Sequence, residues 1–362
     1  MKKPISLFEF SLKWGRVKER KEKLKSMMYN SIKSVAEEIK KGNIFPWIYQ
    51  DSDKVKGIII SPDTDGFVSA LFLNEIFKWK VTGFYDGKLL VTLADSDFEH
   101  KKESYVFVDM EILRSHIKSI GHHILLYNAQ NPHSLITSIE NTCIQPNNWR
   151  GMDVKNTFLT KYPFGTFHLL ISILYYLYPK RPVFNFNPKK AIVPSIYIDG
   201  VFKNLLNYPE NCLDWLKYMT SDNLKHPFEL LLNHPTTPKQ LMNFMRSFFN
   251  TLNNIWTTQN KRGKGKIKLN KDISNNRFKD KVSQELIKYL DYLAQQYDYT
   301  FRLPLWPVIK ERLAIFRLTK KILPATKSQY DKVINKKPVS FAVTSKARNG
   351  LEYTLDVNKI FS

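Results

Sequence analysis

Four aspartates have the types and placement from which chemistry can be expected. Asp63 and Asp65 lie in SPDTDG, directly after the β-branched run VKGIII (55–60). Asp109 ends the apolar run YVFVDM (105–110), and Asp199 closes AIVPSIYIDG (191–200). Hard divalent cations such as Mg²⁺ or Mn²⁺ take carboxylate oxygens, and one bridging carboxylate can hold two ions. Such ions activate a water and neutralise the charge that builds up in phosphoryl transfer. A single Asp after a strand is ordinarily a turn or helix-capping residue. Recurrence of the acid at one structural phase is what points to a shared site.

The elements that position these acids read as α/β. VKGIII, the turn SPDTDG and the apolar stretch FVSALFLNEIF form strand, tight turn and helix, the opening of a βαβ unit. KVTGFYDG, KLLVTL, YVFVDM, HHILLYN and AIVPSIYIDG are expected as strands, and EILRSHIKSIG as a helix closed by Gly121. This alternation predicts a doubly wound, mostly parallel sheet with the acids at the carboxyl ends of strands, where ligands bind in such folds. A basic N-terminal helical segment (1–50, helix over 5–41) precedes this α/β domain (51–205). A basic, mainly helical C-terminal domain (206–362) follows, with helices at 209–219, 238–256, 279–296 and 306–322. It ends in a hairpin, VSFAVTSK and LEYTLDV, turning at Asn349-Gly350. His122 and His123 are expected at a helix end, beside the negative pole of its dipole.

With these residues in view, the segment from about 54 to 200 resembles the DHH phosphoesterase superfamily. That superfamily includes RecJ-type exonucleases, oligoribonucleases, cyclic-dinucleotide phosphodiesterases and manganese-dependent pyrophosphatases. Its first motif, a strand followed by His-x-x-x-Asp-x-Asp and a helix, matches Asp63 and Asp65. Its lone strand-end Asp matches Asp109, 44 residues on, and its later strand-end Asp matches Asp199, a further 90 on. The resemblance implies that Asp63, Asp65, Asp109 and Asp199 are ligands of Mn²⁺ or Mg²⁺, with Asp65 and Asp109 closest to the reaction. Two motif positions depart from it. Ile59 stands at the first-motif His, and Asn128-Ala129-Gln130 stands where the Asp-His-His that names the family is expected after the strand ILLY.

Charge narrows the partner. The 362 residues hold 56 Lys and Arg against 33 Asp and Glu, a formal excess of +23. An excess of that size calls for a polyanion, nucleic acid first. Basic residues concentrate at 13–25 and again at Lys261, Arg262, Lys264, Lys266 and Lys268, in a Gly-containing loop suited to tracking phosphates. Arg312, Arg317, Lys320 and Lys321 form a further cluster on the expected helix 306–322. Lys161 precedes an apolar helix whose first N–H groups, capped by Thr166, could meet a phosphate. Aromatics near the basic loop, among them Trp256, Tyr289 and Trp306, are candidates for stacking bases. Two cysteines make neither a disulfide framework nor a zinc cluster and point to a reducing, cytoplasmic compartment. No apolar run reaches membrane-spanning length. Two readings follow: a metal-dependent phosphodiesterase or nuclease acting on single-stranded DNA or RNA, or an inactive relative that binds nucleic acid as a scaffold in a protein complex.

Overall fold

The computed structural model describes residues 29–221, 223–258, 265–345 and 350–361. Most of the expected N-terminal helix, along with Lys261, Arg262, Lys264 and the hairpin tip, lies outside the described residues. The chain folds as α/β around a mixed, mostly parallel seven-stranded sheet. Its strands are β1 (Gly57–Ile60), β2 (Val81–Tyr85), β3 (Leu89–Leu93), β4 (Tyr105–Val108), β5 (Lys118–Ile120), β6 (Cys143–Ile144) and β9 (Leu313–Arg317). Their order is β6-β5-β4-β1-β2-β3-β9. Strands β6, β5, β4, β1 and β2 are parallel, while β3 runs antiparallel to both β2 and β9. The order of the parallel strands reverses direction between β1 and β4. That switch point opens a crevice at the carboxyl ends of the strands.

Strand alternation decides the layering. Ile58, Ile60, Val106 and Val108 point into the main core. They pack there with α1 (Ile32–Lys40), α2 (Thr64–Phe77) and α3 (Thr166–Leu177). Ile59, Tyr105 and Phe107 face the other way, into an aromatic cluster closed by Val339 and Phe361. The main core runs from Ile32 to Leu313, so residues on both sides of position 205 share it. Helices α6 (Pro209–Thr220) and α7 (Pro227–Leu232) pack against α3 and α9 (Asp280–Gln296) against α2, while α4 (Pro188–Tyr197) packs on α7 and α9, α5 (Val201–Asn207) on α4 and α6, and α8 (Pro238–Ile255) on α4 and α9. A short hairpin, β7 (Ile273–Ser274) and β8 (Arg277–Phe278), precedes α9. A small antiparallel sheet of β10 (Thr319–Leu323), β12 (Leu351–Leu355) and β11 (Ser340–Val343), with α10 (Lys327–Ile334), forms the C-terminal layer.

Four expected elements took other forms, each for a tertiary reason. EILRSHIKSIG is no helix. Leu113 N–H donates to Val339 O (2.7 Å), Ile112 N–H donates to Ser119 Oγ, and Ile112 bridges Ser340, so the C-terminal layer holds this backbone extended. HHILLYN is no sheet strand. Ile124 makes a single bridge to Val343, and Leu125 and Leu126 are buried beneath the small sheet. AIVPSIYIDG is helical, because Asn187 caps α4, Pro188 starts it, and burial of Ile192, Val193 and Ile196 overrides their β-branched preference. The region 306–322 became β9 and β10, edge strands that carry Arg317, Lys320 and Lys321, with Arg312 just before β9. Trp256, Tyr289 and Trp306 are fully buried and are core residues rather than stacking platforms. Among the described residues no helix is long and apolar enough to cross a membrane.

The core also contains a pH-dependent element. His226 is fully buried, its ring lies edge-on to Tyr175 (4.7 Å), and its Nδ1 accepts from Phe228 N–H at the start of α7. Burial pushes its pKa down from 6.5 to about 3. Below pH 6.5 the unfolded chain therefore binds a proton that the fold refuses, and stability falls with falling pH down to the folded value. Replacing His226 with Asn, which retains a capping side chain, is expected to remove about 2 kcal/mol of the stability difference between pH 7 and pH 5. Urea unfolding of both proteins at the two pH values measures it.

Candidate metal centre

Three loops at the crevice and one helix end deliver the site. Asp63 caps α2, with its side chain accepting from Gly66 N–H, and Asp65 occupies the first turn of that helix. Asp109 follows β4 with φ 68°, and both its N–H and that of Met110 donate to Ile120 O. His122 follows β5 by two residues. Asp199 follows α4 in the left-handed region, φ 47°. An aspartate tolerates that region better than most residues, but its use for two acids at one site costs conformational energy and is of the kind found where function holds the backbone.

The side chains converge. Asp65, Asp109, His122 and Asp199 each offer one ligand atom, all within 4.8 Å of one another. His122 Nε2 lies 2.9 Å from Asp199 Oδ2, and its Nδ1 lies 3.4 Å from Asp109 Oδ1 and 2.9 Å from Thr166 Oγ1. Thr166 Oγ1 donates to Asp109 Oδ1 (2.8 Å), and Ser61 Oγ contacts both Asp109 Oδ2 (2.6 Å) and Asp63 Oδ1 (3.0 Å). Asp65 accepts the N–H groups of Thr166 (2.6 Å) and Phe167 (2.9 Å), at the N-terminus of α3. That helix N-terminus is thus committed to a carboxylate and not to a phosphate, and Thr166 supplies a hydroxyl to the site rather than a cap. Gly165 makes the approach possible, since a Cβ there would lie 2.6 Å from Asp65 Oδ2 and 2.5 Å from Ile198.

The electrostatics follow from burial and crowding. Burial, reinforced by the negative charge of Asp109, pushes the Asp63 carboxyl up to about 6. The same two causes, with Asp199, hold Asp65 well above the usual range. Burial alone would lower the pKa of His122, but hydrogen bonds to Asp109 and Asp199 outweigh it and keep the ring protonated. Burial would raise Asp199, and the hydrogen bond from His122 outweighs it and holds that acid ionised. Lys266 Nζ stands 3.4 Å from Asp63 Oδ2, and its pKa is raised chiefly by that acid.

The donor set suits a divalent ion. Three carboxylates and an imidazole crowd together with only one histidine and one lysine to balance them, a crowding that without an ion drives Asp65 upward and that a divalent cation would relieve. Donor atoms opposite one another across an ion bound at about 2.1 Å are about 4.2 Å apart, so a small contraction of the set would close it. Binding would displace the proton that His122 shares with the acids.

The site differs from the expected one in four respects. Asp65, Asp109 and Asp199 come together, whereas Asp63 turns to Ser61 and Lys266. His122 joins the cluster: with no helix over 111–121 and β5 ending at Ile120, the histidine pair lies past the carboxyl end of a strand rather than at a helix end. The cue in the sequence was Ser119-Ile120-Gly121-His122-His123 read as strand end, turn and ligands. Asp199 arrives from a helix and not from a strand. Lys161 is mostly buried over the Phe158 ring and donates to Thr344 O (3.1 Å), with burial pushing its pKa down to about 8, so it is not presented to a ligand.

Two clefts meet at the cluster and share Asp63, Asp199 and Lys266. One, of about 500 Å³, is walled by Tyr197, Phe202, Met245 and Phe249. The other, of about 450 Å³, is more polar and includes Asp109, Glu111, His123, Lys320 and Thr354. Glu111 accepts the N–H of His123 (2.6 Å) and faces its Nδ1 (3.1 Å). Lys268 lies half-buried beyond Lys266, with its N–H donating to Asp272. No family model matches this chain, and neither the curated proteins nor the solved structures contain a match to it.

Proposed function

We propose that this protein is a metal-dependent phosphodiesterase that cleaves single-stranded nucleic acid and is a divergent relative of the DHH phosphoesterases. The observation that carries the reading is the convergence of Asp65, Asp109, His122 and Asp199 at the switch point of the sheet, between two clefts that share a lysine. Three points support the family assignment. The parallel strands run in the order 2-1-3-4-5 counted along the chain, one of the common doubly wound orders. Asp63 and Asp65 follow the first of them and Asp109 the third. Gly121-His122-His123 follows the fourth, so the histidine pair has the strand-end setting of the Asp-His-His motif, with Gly121 in place of its acid. A Cβ at Gly121 would fall 2.2 Å from Glu111 Oε1, so a neighbouring loop delivers a carboxylate to the space a side chain there would occupy.

Mn²⁺ fits three hard oxygens and one imidazole better than Mg²⁺ does. Held by Asp65, Asp109, His122 and Asp199, it would supply charge stabilisation for the phosphoryl oxygens and lower the pKa of a water. The chain's own residues complete the task. Ser61 and Thr166 fix the Asp109 carboxylate through both of its oxygens. Lys266, paired with Asp63 at the junction of the clefts, is placed to hold a phosphate oxygen. The fully buried Ile59, standing at a family ligand position, and the pairing of Asp63 with Lys266 favour one ion over two. The same two features are what an inactive nucleic-acid-binding scaffold would display.

End-labelled single-stranded DNA and RNA, incubated with the full chain and Mn²⁺, Mg²⁺ or EDTA, distinguish the readings. Cleavage that needs Mn²⁺ and stops with EDTA is expected. Mn²⁺ at about 100 times its dissociation constant should also stabilise the fold by roughly 2.7 kcal/mol, visible as a rise in melting temperature larger than that with Mg²⁺. Salt-dependent oligonucleotide binding with neither a metal effect nor cleavage would establish the scaffold instead.

A further inference from the structure

We infer that the apolar cleft beside the metal centre is a nucleobase subsite that holds bases by stacking and does not read their sequence. The inference rests on the phosphodiesterase reading above and specifies its substrate.

The cleft is built on three helices: Tyr197 ends α4, Phe202 lies in α5, and Met245 and Phe249 lie in α8. Its other end is Asp63, Asp65, Asp199 and Lys266, the edge of the metal centre. A ligand that fills it must therefore carry charged oxygens at one end and a flat apolar body at the other, which is the form of a nucleotide. Phe249 is 40 % exposed, although the rest of the cleft floor, Val193 and Ile196, is buried. Phe249 is nonetheless held in a defined pose, edge-on to Tyr197 at 5.7 Å and 79° and to Phe248 at 5.6 Å. A large ring left in water but fixed by its neighbours is a preformed stacking surface.

The same walls are poor in groups that could read a base. Among the described residues no Asn, Gln, Arg, His or Ser lines the cleft. The hydroxyl of Thr64 is committed to Gly265 O (3.2 Å) and Tyr289 OH (3.0 Å). Discrimination among bases needs donors and acceptors aimed at their edges, and stacking on an aromatic face is sequence-tolerant because every base has one. Lys203, exposed at the rim, adds a cation where the next phosphate of a strand would pass.

The test is calorimetric titration of the full chain in Mn²⁺ with AMP, GMP, CMP, UMP and ribose 5-phosphate, repeated on Phe249→Ala and Phe249→Trp. All four nucleotides are expected to bind within a few-fold of one another, and ribose 5-phosphate more weakly. Phe249→Ala should weaken the nucleotides about 5- to 100-fold and leave ribose 5-phosphate unchanged, while Phe249→Trp keeps the nucleotide affinity. Phe249 is partly exposed, so the variants should fold, and an unchanged melting temperature checks this. Equal binding of nucleotides and ribose 5-phosphate, or equal weakening of both by Phe249→Ala, overturns the subsite and leaves the hydrolase standing. A preference above tenfold for one base overturns the stacking-only inference. Mn²⁺ heat with no binding of any phosphate compound overturns the subsite, and absence of both overturns the hydrolase as well.

Discussion

Replacing Asp65 and Asp109 together by Asn is expected to reduce Mn²⁺-dependent cleavage of single-stranded oligonucleotides by a factor on the order of 10³ or more, about 4 kcal/mol of transition-state stabilisation. The same change should remove the metal-induced rise in melting temperature. It should not unfold the protein. An Asn at 65 keeps an oxygen for one of the N–H groups of Thr166 and Phe167, and an Asn at 109 still accepts from Ser61 or Thr166, so each replacement gives up single hydrogen bonds and leaves the packing intact. In the absence of metal the variant should in fact melt higher, because the burial and crowding that push the Asp65 carboxyl upward oppose folding near neutral pH, and a neutral Asn is free of that cost. A gain in metal-free stability together with a loss of metal response is the signature of a site strained for function. Melting curves with and without Mn²⁺, alongside the cleavage assay, read both. Residual Mn²⁺-dependent cleavage in the double variant would refute the site assignment.

Replacing Lys266 by Met separates substrate handling from metal holding. Its ammonium lies 3.4 Å from Asp63 and also lowers the field of Asp199 and Asp109. Removing it makes the cluster more negative, so Mn²⁺ should bind a few-fold more tightly, as expected from a lost like charge screened at a largely exposed position. Cleavage should nonetheless fall by about 10²-fold, the scale reported for loss of one preorganised group facing developing phosphoryl charge. Opposite movement of the two quantities identifies Lys266 as a substrate-positioning residue. Weaker metal binding in the variant, or unchanged cleavage, would show that Lys266 serves only as the partner of Asp63.

The contrast between Asp63 and His122 shows where reading from residues succeeds and where it stops. β1, the turn at 61–66 and α2 were legible because they are local: a β-branched run, a Pro-Asp turn and an apolar helix each declare themselves over a few residues. Asp65 and Asp109 were legible for the same reason, as acids directly after buried strands. His122 was not, because its place depends on how residues 111–117 fold, and hydrogen bonds donated by Leu113 and Arg114 to the carbonyls of Val339 and Pro338, more than 220 positions away, suppress the helix their pattern favours. The aromatic walls of the apolar cleft escaped notice too. Tyr197, Phe202 and Phe249 come from three helices and show no common spacing, whereas the aromatics that stand near the basic loop in sequence turned inward.

Local periodicity was enough to establish an α/β chain with Asp63, Asp65 and Asp109 just beyond buried strands, and composition its strong positive charge, since each depends only on residues and their neighbours along the backbone. Which acids meet, that a histidine joins them, that Asp63 pairs with a lysine two hundred residues distant, and that β9 closes the sheet edge were decided by packing. Those contacts form between segments remote in sequence, and their energies depend on burial and distance that exist only once the chain has folded.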